Sequence, residues 1–273
     1  MADVNISAEI GVFGGSGFYD FLTDVHEVLV DTPYGAPSDR VTVATVGDRK
    51  VAFLPRHGKG HIHPAHVVNY RANVWALKSL GVQQILAPFS CGSLQRNIHP
   101  GDFVIVDQFV DRTSGRQDTY FNGPITHHIG AADPYCLRLS ALAVQVALEQ
   151  GVTVHEGGTV VVCQGPRFST RAESEWFTKN GWDIVGMTQY PECILARELG
   201  ICFVGVGLVT DYDVGMVAEQ AEPVTFEMVV KTMQENVHRV RDLILEVIKR
   251  LPAFPADADC ACAGEARAAI ING

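Results

Sequence analysis

Residues 201–213 read Ile201-Cys202-Phe203-Val204-Gly205-Val206-Gly207-Leu208-Val209-Thr210-Asp211-Tyr212-Asp213. The run up to Val209 is apolar without polar alternation, which suits a strand buried on both faces of a sheet. It stops at Thr210, and two carboxylates follow two residues apart, Asp211 and Asp213. In an open α/β sheet, ligands bind beyond the carboxyl ends of strands. Acids placed there meet a substrate, and a partly desolvated one holds a proton near neutral pH. The same residues also read as a strand followed by a turn in which Asp is the turn former. The rest of the chain decides between the two readings.

Around this stretch lie 273 residues, 47% hydrophobic and 19% charged, enough for one large α/β domain or two small ones. The net charge of −10 argues against a nucleic-acid backbone as the main partner, which needs a basic face. No apolar run approaches the ~20 residues that span a bilayer. The first five residues lack the basic and apolar regions of a signal peptide. A cytoplasmic protein with no membrane partner is expected. Cys91, Cys136, Cys163, Cys193 and Cys202 are scattered singly in apolar surroundings, which suits reduced, buried thiols.

The glycine-rich turn Gly14-Gly15-Ser16-Gly17 follows a short apolar strand, residues 9–13. It is not the GxGxxG fingerprint of a dinucleotide site. It reads as a phosphate cradle with Ser16 as hydroxyl donor, or as a plain strand-to-loop turn. Strands are expected at residues 41–46 and 50–54, the second ending in Pro55-Arg56-His57-Gly58. Arg56 beside His57 is a natural oxyanion clamp, since guanidinium binds phosphate bidentately. His61, His63 and His66 follow, but no Cys or carboxylate is spaced to complete a metal site, and none is expected. Residues 69–80 have helical periodicity, and Gly81 stops the helix. Residues 84–88 read as a strand ending in the small-residue turn of Phe89, Ser90, Cys91 and Gly92. Residues 103–109 read as one strand. The stretch 111–133, which holds Arg112, Arg116, His127 and His128, is long enough to be a functional or interface loop.

A helix is expected over 134–151, a strand over 158–163, and a helix from about Thr170, preceded by Phe168 and Ser169. An aromatic at such a point stacks on a planar ligand or packs in the core. A short strand over 182–185 leads through Met187 and Thr188 to a helix over 192–199, and 224–251 is a long amphipathic helix. A single domain of residues 9–252 is therefore expected, followed by an Ala-rich tail, residues 253–273. The tail carries Cys260-Ala261-Cys262. A single Cys-x-Cys cannot build a tetrahedral zinc site alone, so a solvated tail with incidental thiols is expected.

These motifs, in this order, resemble the trimeric purine nucleoside phosphorylases, most closely the 5'-methylthioadenosine phosphorylases. The marks include Gly14-Gly15-Ser16-Gly17, Pro55-Arg56-His57-Gly58, Asn69-Tyr70-Arg71-Ala72-Asn73, Cys91-Gly92-Ser93-Leu94, Met187-Thr188 with Pro191-Glu192, and Thr210-Asp211-Tyr212-Asp213. The resemblance implies a mixed, twisted β-sheet surrounded by helices, assembled as a homotrimer. It places a phosphate site on Ser16, Arg56, His57, Phe89, Ser90 and Thr188. The ribose contact falls on Met187. The base site falls on Phe168, Ser169, Asp211, Tyr212 and Asp213, and a 5' pocket on Phe226 and Val229. His128 stands where the family's histidine reaches a neighbouring subunit's site. Phe89-Ser90 replaces a common Thr-Ala pair, Gly186 stands where Asn is usual, and Phe226 where a smaller Val is common.

The reaction so implied is phosphorolysis of the N-glycosidic bond of an adenine nucleoside, with Asp211 as general acid toward N7. No metal or organic cofactor is expected, inorganic phosphate being a substrate. The alternatives are a 6-oxopurine phosphorylase, a nucleosidase using water, and a nucleoside-binding module. Paired Asp211 and Asp213 favour adenine over a 6-oxopurine. The Arg56-His57 clamp speaks for phosphate over water, and the acid at Asp211 for turnover over binding alone.

Overall fold

A computed structural model of the chain describes residues 6–14, 22–214, 225–252, 254 and 260–271; the side chains of Phe226, Met228, Ile270 and Ile271 lie outside that description. The strands are β1 (Ile10–Phe13), β2 (Thr23–Val28), β3 (Val41–Val46), β4 (Arg49–Leu54), β5 (Gln84–Ser93), β6 (Phe103–Val106), β7 (Gln108–Arg112), β8 (Thr126–His127), β9 (Val154–Glu156), β10 (Thr159–Cys163), β11 (Ile184–Gly186), β12 (Cys202–Tyr212) and β13 (Ile270–Ile271). The helices are α1 (Tyr70–Ser79), α2 (Leu137–Glu149), α3 (Arg171–Lys179), α4 (Gln189–Glu198), α5 (Phe226–Arg250) and α6 (Cys262–Ala268).

The apolar run is β12, and its side chains divide between two cores. Cys202, Val204, Val206 and Leu208 enter the core shared with α2 and α5. Phe203 and Val209 enter the core shared with α1 and α4. Alternation of side chains across a strand sends one apolar run to both faces. β12 lies between β5, to which it is parallel, and β6, to which it is antiparallel. β5, β1 and β4 are parallel to one another, so their carboxyl ends share one side of the mixed sheet with that of β12.

Four readings from the sequence are corrected. β12 does not stop at Thr210 but runs to Tyr212, because its ladder with β5 continues past a bulge between Val209 and Asp211. β5 likewise runs to Ser93, so Phe89 and Ser90 are strand residues rather than a turn. Residues 103–109 split into β6 and β7 at Asp107, whose carboxylate accepts from the backbone N–H of Gly158 (3.0 Å); β6 pairs with β12 and β9, whereas β7 pairs with β10. Part of the Ala-rich tail packs against the body of the protein instead of lying wholly in solvent. Its residues 260–271 form α6 and β13, with Cys262 and Ala266 buried and β13 paired to β8. The small Ala and Gly side chains let α6 approach closely, so that a Cβ on Gly200 would lie 3.2 Å from the backbone of Ala263.

The bulk of Phe89 is matched by Gly186 on β11. A Cβ on Gly186 would lie 3.2 Å and 3.3 Å from ring atoms of Phe89. The two departures from the family pattern are thus one packing arrangement. Gly186→Ala should cost about 1–3 kcal/mol by overpacking, and Phe89→Thr about 3 kcal/mol through the cavity it leaves. The double variant should be less destabilised than the sum, by about 0.5–3 kcal/mol in a urea-unfolding double-mutant cycle. Strict additivity would show that the two positions are independent.

Candidate active site

The site opens where β5 loses a neighbour. Along one edge β5 pairs with β1 only as far as Leu86, and pairing with β11 begins at Gly92. Between them, over residues 87–91, β5 is paired only to β12 among the described residues. β11 runs antiparallel to β5, so Met187 and Thr188 turn back beside this gap from the far side.

Arg56 enters from the end of β4. Its Nη1 donates to the Pro88 carbonyl (2.9 Å), at the near end of the gap. Nε and Nη2 donate to the two carboxylate oxygens of Glu192 at 2.5 Å and 2.8 Å. Arg56 is 7% exposed and Glu192 is fully buried. Three of the five guanidinium N–H groups are occupied in this way, and the remaining two are available to an oxyanion. Glu192 is pushed upward by burial, against the downward pull of Arg56. In the sequence Glu192 stands only within the Pro191-Glu192 motif, and a carboxylate on an apolar-faced helix is its one signal.

His57 donates from Nδ1 to the His63 carbonyl (2.8 Å), since a carbonyl only accepts. Burial and the adjacent Arg56 lower its pKa to about 4. The neutral ring therefore presents Nε2 as an acceptor. Thr188, the N-cap of α4, is 5% exposed, and its Oγ1 has no hydrogen-bond partner among the described residues. A buried, unpartnered hydroxyl at a helix N-terminus suits an anion. Ser16 lies outside the described residues. Phe89 points its ring at Gly186 and Gly207, so Ser90 is the half-buried member of that pair beside the gap.

At the far end stands Asp211, opposite Gly92 across the bulge. Bulges re-aim side chains beside active sites. Asp211 is 7% exposed and accepts from Thr210 Oγ1 (2.6 Å). Burial first, then repulsion from Asp213, raise its pKa to about 6, against the lowering Thr210 bond. Asp213, 3% exposed, is also raised by burial, partly offset by bonds from Ser174, Val214 and Ser169. Its Oδ2 has no partner among the described residues. Ser169 is thus brought to Asp213, while Phe168 stands more open at 37% exposed. Thr170 and Glu173 form a capping box on α3, and Arg167 pairs with Glu173 (2.8 Å), fixing this loop.

Arg116, from the long loop, is the positioning residue that the sequence left without a role. It donates to the carbonyls of Met187 (2.9 Å), Tyr190 (2.5 Å) and Gln164 (3.0 Å). It thereby ties Met187 to the strand end that leads to Phe168. Tyr212 is half-buried with its ring edge-on to His99. Val229 is half-buried on α5, and the side chain of Phe226 lies outside the description. His128 is not part of this cluster: it is exposed just beyond β8, its N–H bound to the Ala269 carbonyl (3.2 Å).

Gly92 is a further residue that the site requires. A Cβ there would lie 2.9 Å from Asp211 Oδ1 and 3.4 Å from Asp213 Cβ. A carboxylate swings aside more readily than a backbone, so Gly92→Ala should fold while displacing the acid. Misplacement by about 1 Å costs on the order of 100-fold in turnover. Steady-state kinetics together with a melting curve check this; unaltered turnover would show that Gly92 does not set the position of Asp211.

Comparison with known proteins agrees with this geometry. Residues 9–249 match the phosphorylase superfamily. A purine nucleoside phosphorylase of Streptomyces coelicolor is 49% identical over 265 residues, 94% of each chain. An S-methyl-5'-thioadenosine phosphorylase of Saccharolobus solfataricus is 45% identical over 274 residues, 99% of this chain and 100% of the other. Among solved structures, methylthioadenosine phosphorylase from Schistosoma mansoni in complex with adenine superposes with a TM-score of 0.83 at 40% identity, covering 89% of this chain and 91% of that one. A methylthioadenosine phosphorylase from an antarctic soil metagenomic library gives 0.90 at 34% identity, covering 97% and 93%. With its sheet, its strand-end acids and its sequence all in agreement, the chain belongs to the phosphorylase superfamily.

Proposed function

We propose that the protein splits the N-glycosidic bond of an adenine nucleoside with inorganic phosphate, releasing adenine and a ribose 1-phosphate derivative. The nucleoside is 5'-methylthioadenosine or another 5'-substituted 5'-deoxyadenosine. The observation that carries this reading is the gap along β5, with a buried guanidinium at Pro88 and a buried carboxyl opposite Gly92. Four residues of strand separate these ends by about 13 Å. Phosphate, ribose and purine in line suit such a span once the side chains reach inward. Relatives solved with adenine and with tubercidin support an adenine-type base.

In this reading phosphate lies against the two remaining Arg56 N–H groups and Thr188 Oγ1. Neutral His57 accepts the hydrogen of monohydrogen phosphate at Nε2. A phosphate oxygen bonds to C1' as the C1'–N9 bond breaks and its electron pair passes into the purine. Negative charge held beneath C1' stabilises the oxocarbenium character of the sugar. Asp211 delivers its proton to N7, and Asp213 Oδ2 accepts from the 6-amino group. Phe168 stacks on the base, Met187 meets the ribose, and Val229 faces the 5' substituent. We assign a homotrimer in which exposed His128 serves the neighbouring protomer's 5' end, and a cytoplasmic location; no helix among the described residues is long and apolar enough to cross a membrane.

The acid carries a pH signature. A raised carboxyl pKa means that the native chain holds the proton more tightly than the unfolded one. Its stabilising contribution is full below the unfolded value and is lost as pH rises through about 6. The same proton is the one delivered, so kcat/KM should fall above about pH 6 in the free enzyme, a limb that belongs to the Asp211–Asp213 pair. Asp211→Asn should lower kcat by about 10²–10⁴ and flatten that limb. Near-normal turnover would remove Asp211 from the role.

Arg56→Ala leaves Glu192 as an unpaired buried charge, a loss of about 3–5 kcal/mol, so it tests folding more than chemistry. Arg56→Lys keeps the charge and loses the fork. It should raise the KM for phosphate about 10–100-fold, corresponding to one charge-assisted hydrogen bond, with a much smaller change for nucleoside. Equal changes in both would place the phosphate clamp elsewhere.

A further inference from the structure

At the opposite end of β12 from Asp211, four cysteines converge. The Sγ atoms of Cys136, Cys202, Cys260 and Cys262 all lie within 4.8 Å of one another. Cys202 Sγ and Cys260 Sγ are 3.2 Å apart. In a tetrahedral zinc tetrathiolate with Zn–S near 2.3 Å, neighbouring sulfurs are about 3.8 Å apart. We propose that these four cysteines form a structural zinc site that fastens the C-terminal segment to the sheet.

Each ligand is set by a rigid element. Cys136 is the N-cap of α2, and its backbone N–H donates to the Phe203 carbonyl (2.9 Å), which holds it against β12. Cys202 is the first residue of β12, and Cys262 the first of α6. Cys136, Cys202 and Cys262 are buried in the core beneath α2 and α5, and Cys260 packs against it. The Cys-x-Cys pair supplies two ligands, and the fold brings the other two from positions 58 and 124 residues upstream of Cys260.

The surroundings suit a dianionic centre. Zinc takes up one electron pair from each sulfur, the four thiols release their protons to solvent, and the Zn(S)₄ group carries a net charge of −2. Arg138 stands beside it, with Nη2 3.9 Å from Cys202 Sγ. The Nε and Nη1 of Arg138 are buried without a hydrogen-bond partner among the described residues. The N-terminus of α2, which Cys136 caps, adds favourable dipole charge. The sulfurs meet around one point, the arrangement that a cation requires.

The site has a mechanical consequence. α6 leads into β13, which pairs with β8 through Ile270↔His127 and Ile271↔Thr126. His127 Nε2 also bonds the Ala266 carbonyl (2.8 Å), and Arg197 pairs with Glu265. A metal at the root of α6 braces the strand next to His128.

The test uses the full-length protein purified without immobilised-metal chromatography. Elemental analysis should find about one zinc per chain, falling below a tenth of that in Cys260→Ser/Cys262→Ser. Cobalt added to the chelator-stripped wild type should give thiolate-to-cobalt charge transfer and the ligand-field bands of a tetrahedral site. Thiol titration in denaturant with chelator should find all seven cysteines free. Should the double variant fail to fold, the single Cys260→Ser protein and the cobalt spectrum decide. No bound zinc with only three free thiols means that the four sulfurs form two disulfides, and overturns the proposal. No zinc with seven free thiols, or zinc retained in the double variant, overturns it equally.

Discussion

The parallel ladder between β5 and β12 is the constraint on which the rest depends. Ten residue pairs join the two strands, in the centre of the sheet and covered on both faces. The ladder fixes where β12 ends, and so where Asp211 and Asp213 stand. It also carries β5 past the end of β1, leaving five residues with one edge unpaired among the described residues. An unpaired edge inside a sheet leaves backbone polar groups to be met by something other than a strand. Here Arg56 meets one of them, at Pro88.

Electrostatics then separates the two ends of that cleft. At one end a guanidinium is fixed by a bidentate carboxylate in a buried pair. The pair costs desolvation and returns geometry, since a clamped guanidinium presents a fixed edge to an oxyanion. At the other end two carboxyls share a buried strand end with no cation of their own among their main influences. Burial pushes them toward the protonated state. One fold thus holds a cation at one end of the cleft and carboxyls biased toward protonation at the other, the arrangement that the proposed reaction needs.

Much of this was legible in the sequence, for reasons that differ by residue. An apolar run that ends in two Asp residues announces both a buried strand and a polar terminus. Arg56-His57 was visible because charged groups at strand ends have few structural reasons to be there, and Thr188 through the family resemblance. The bulge at Thr210 was not legible, because periodicity carries no mark of one inserted residue. Glu192 and Arg116 were missed because their partners lie 136 and up to 74 residues away. The tail was misread for a related reason: its Ala and Gly residues look like low complexity, yet small side chains are what close packing against Gly200 needs. Cys136 and Cys202 looked solitary for the same cause.

The central claim is that the cleft joins a nucleoside to phosphate rather than to water. Initial rates of adenine release from 5'-methylthioadenosine by the purified protein, with and without inorganic phosphate, address it directly. Release should require phosphate, saturate with it, and be matched mole for mole by a ribose 1-phosphate derivative. Adenine release at an unchanged rate without phosphate, with free sugar as the product, would contradict it.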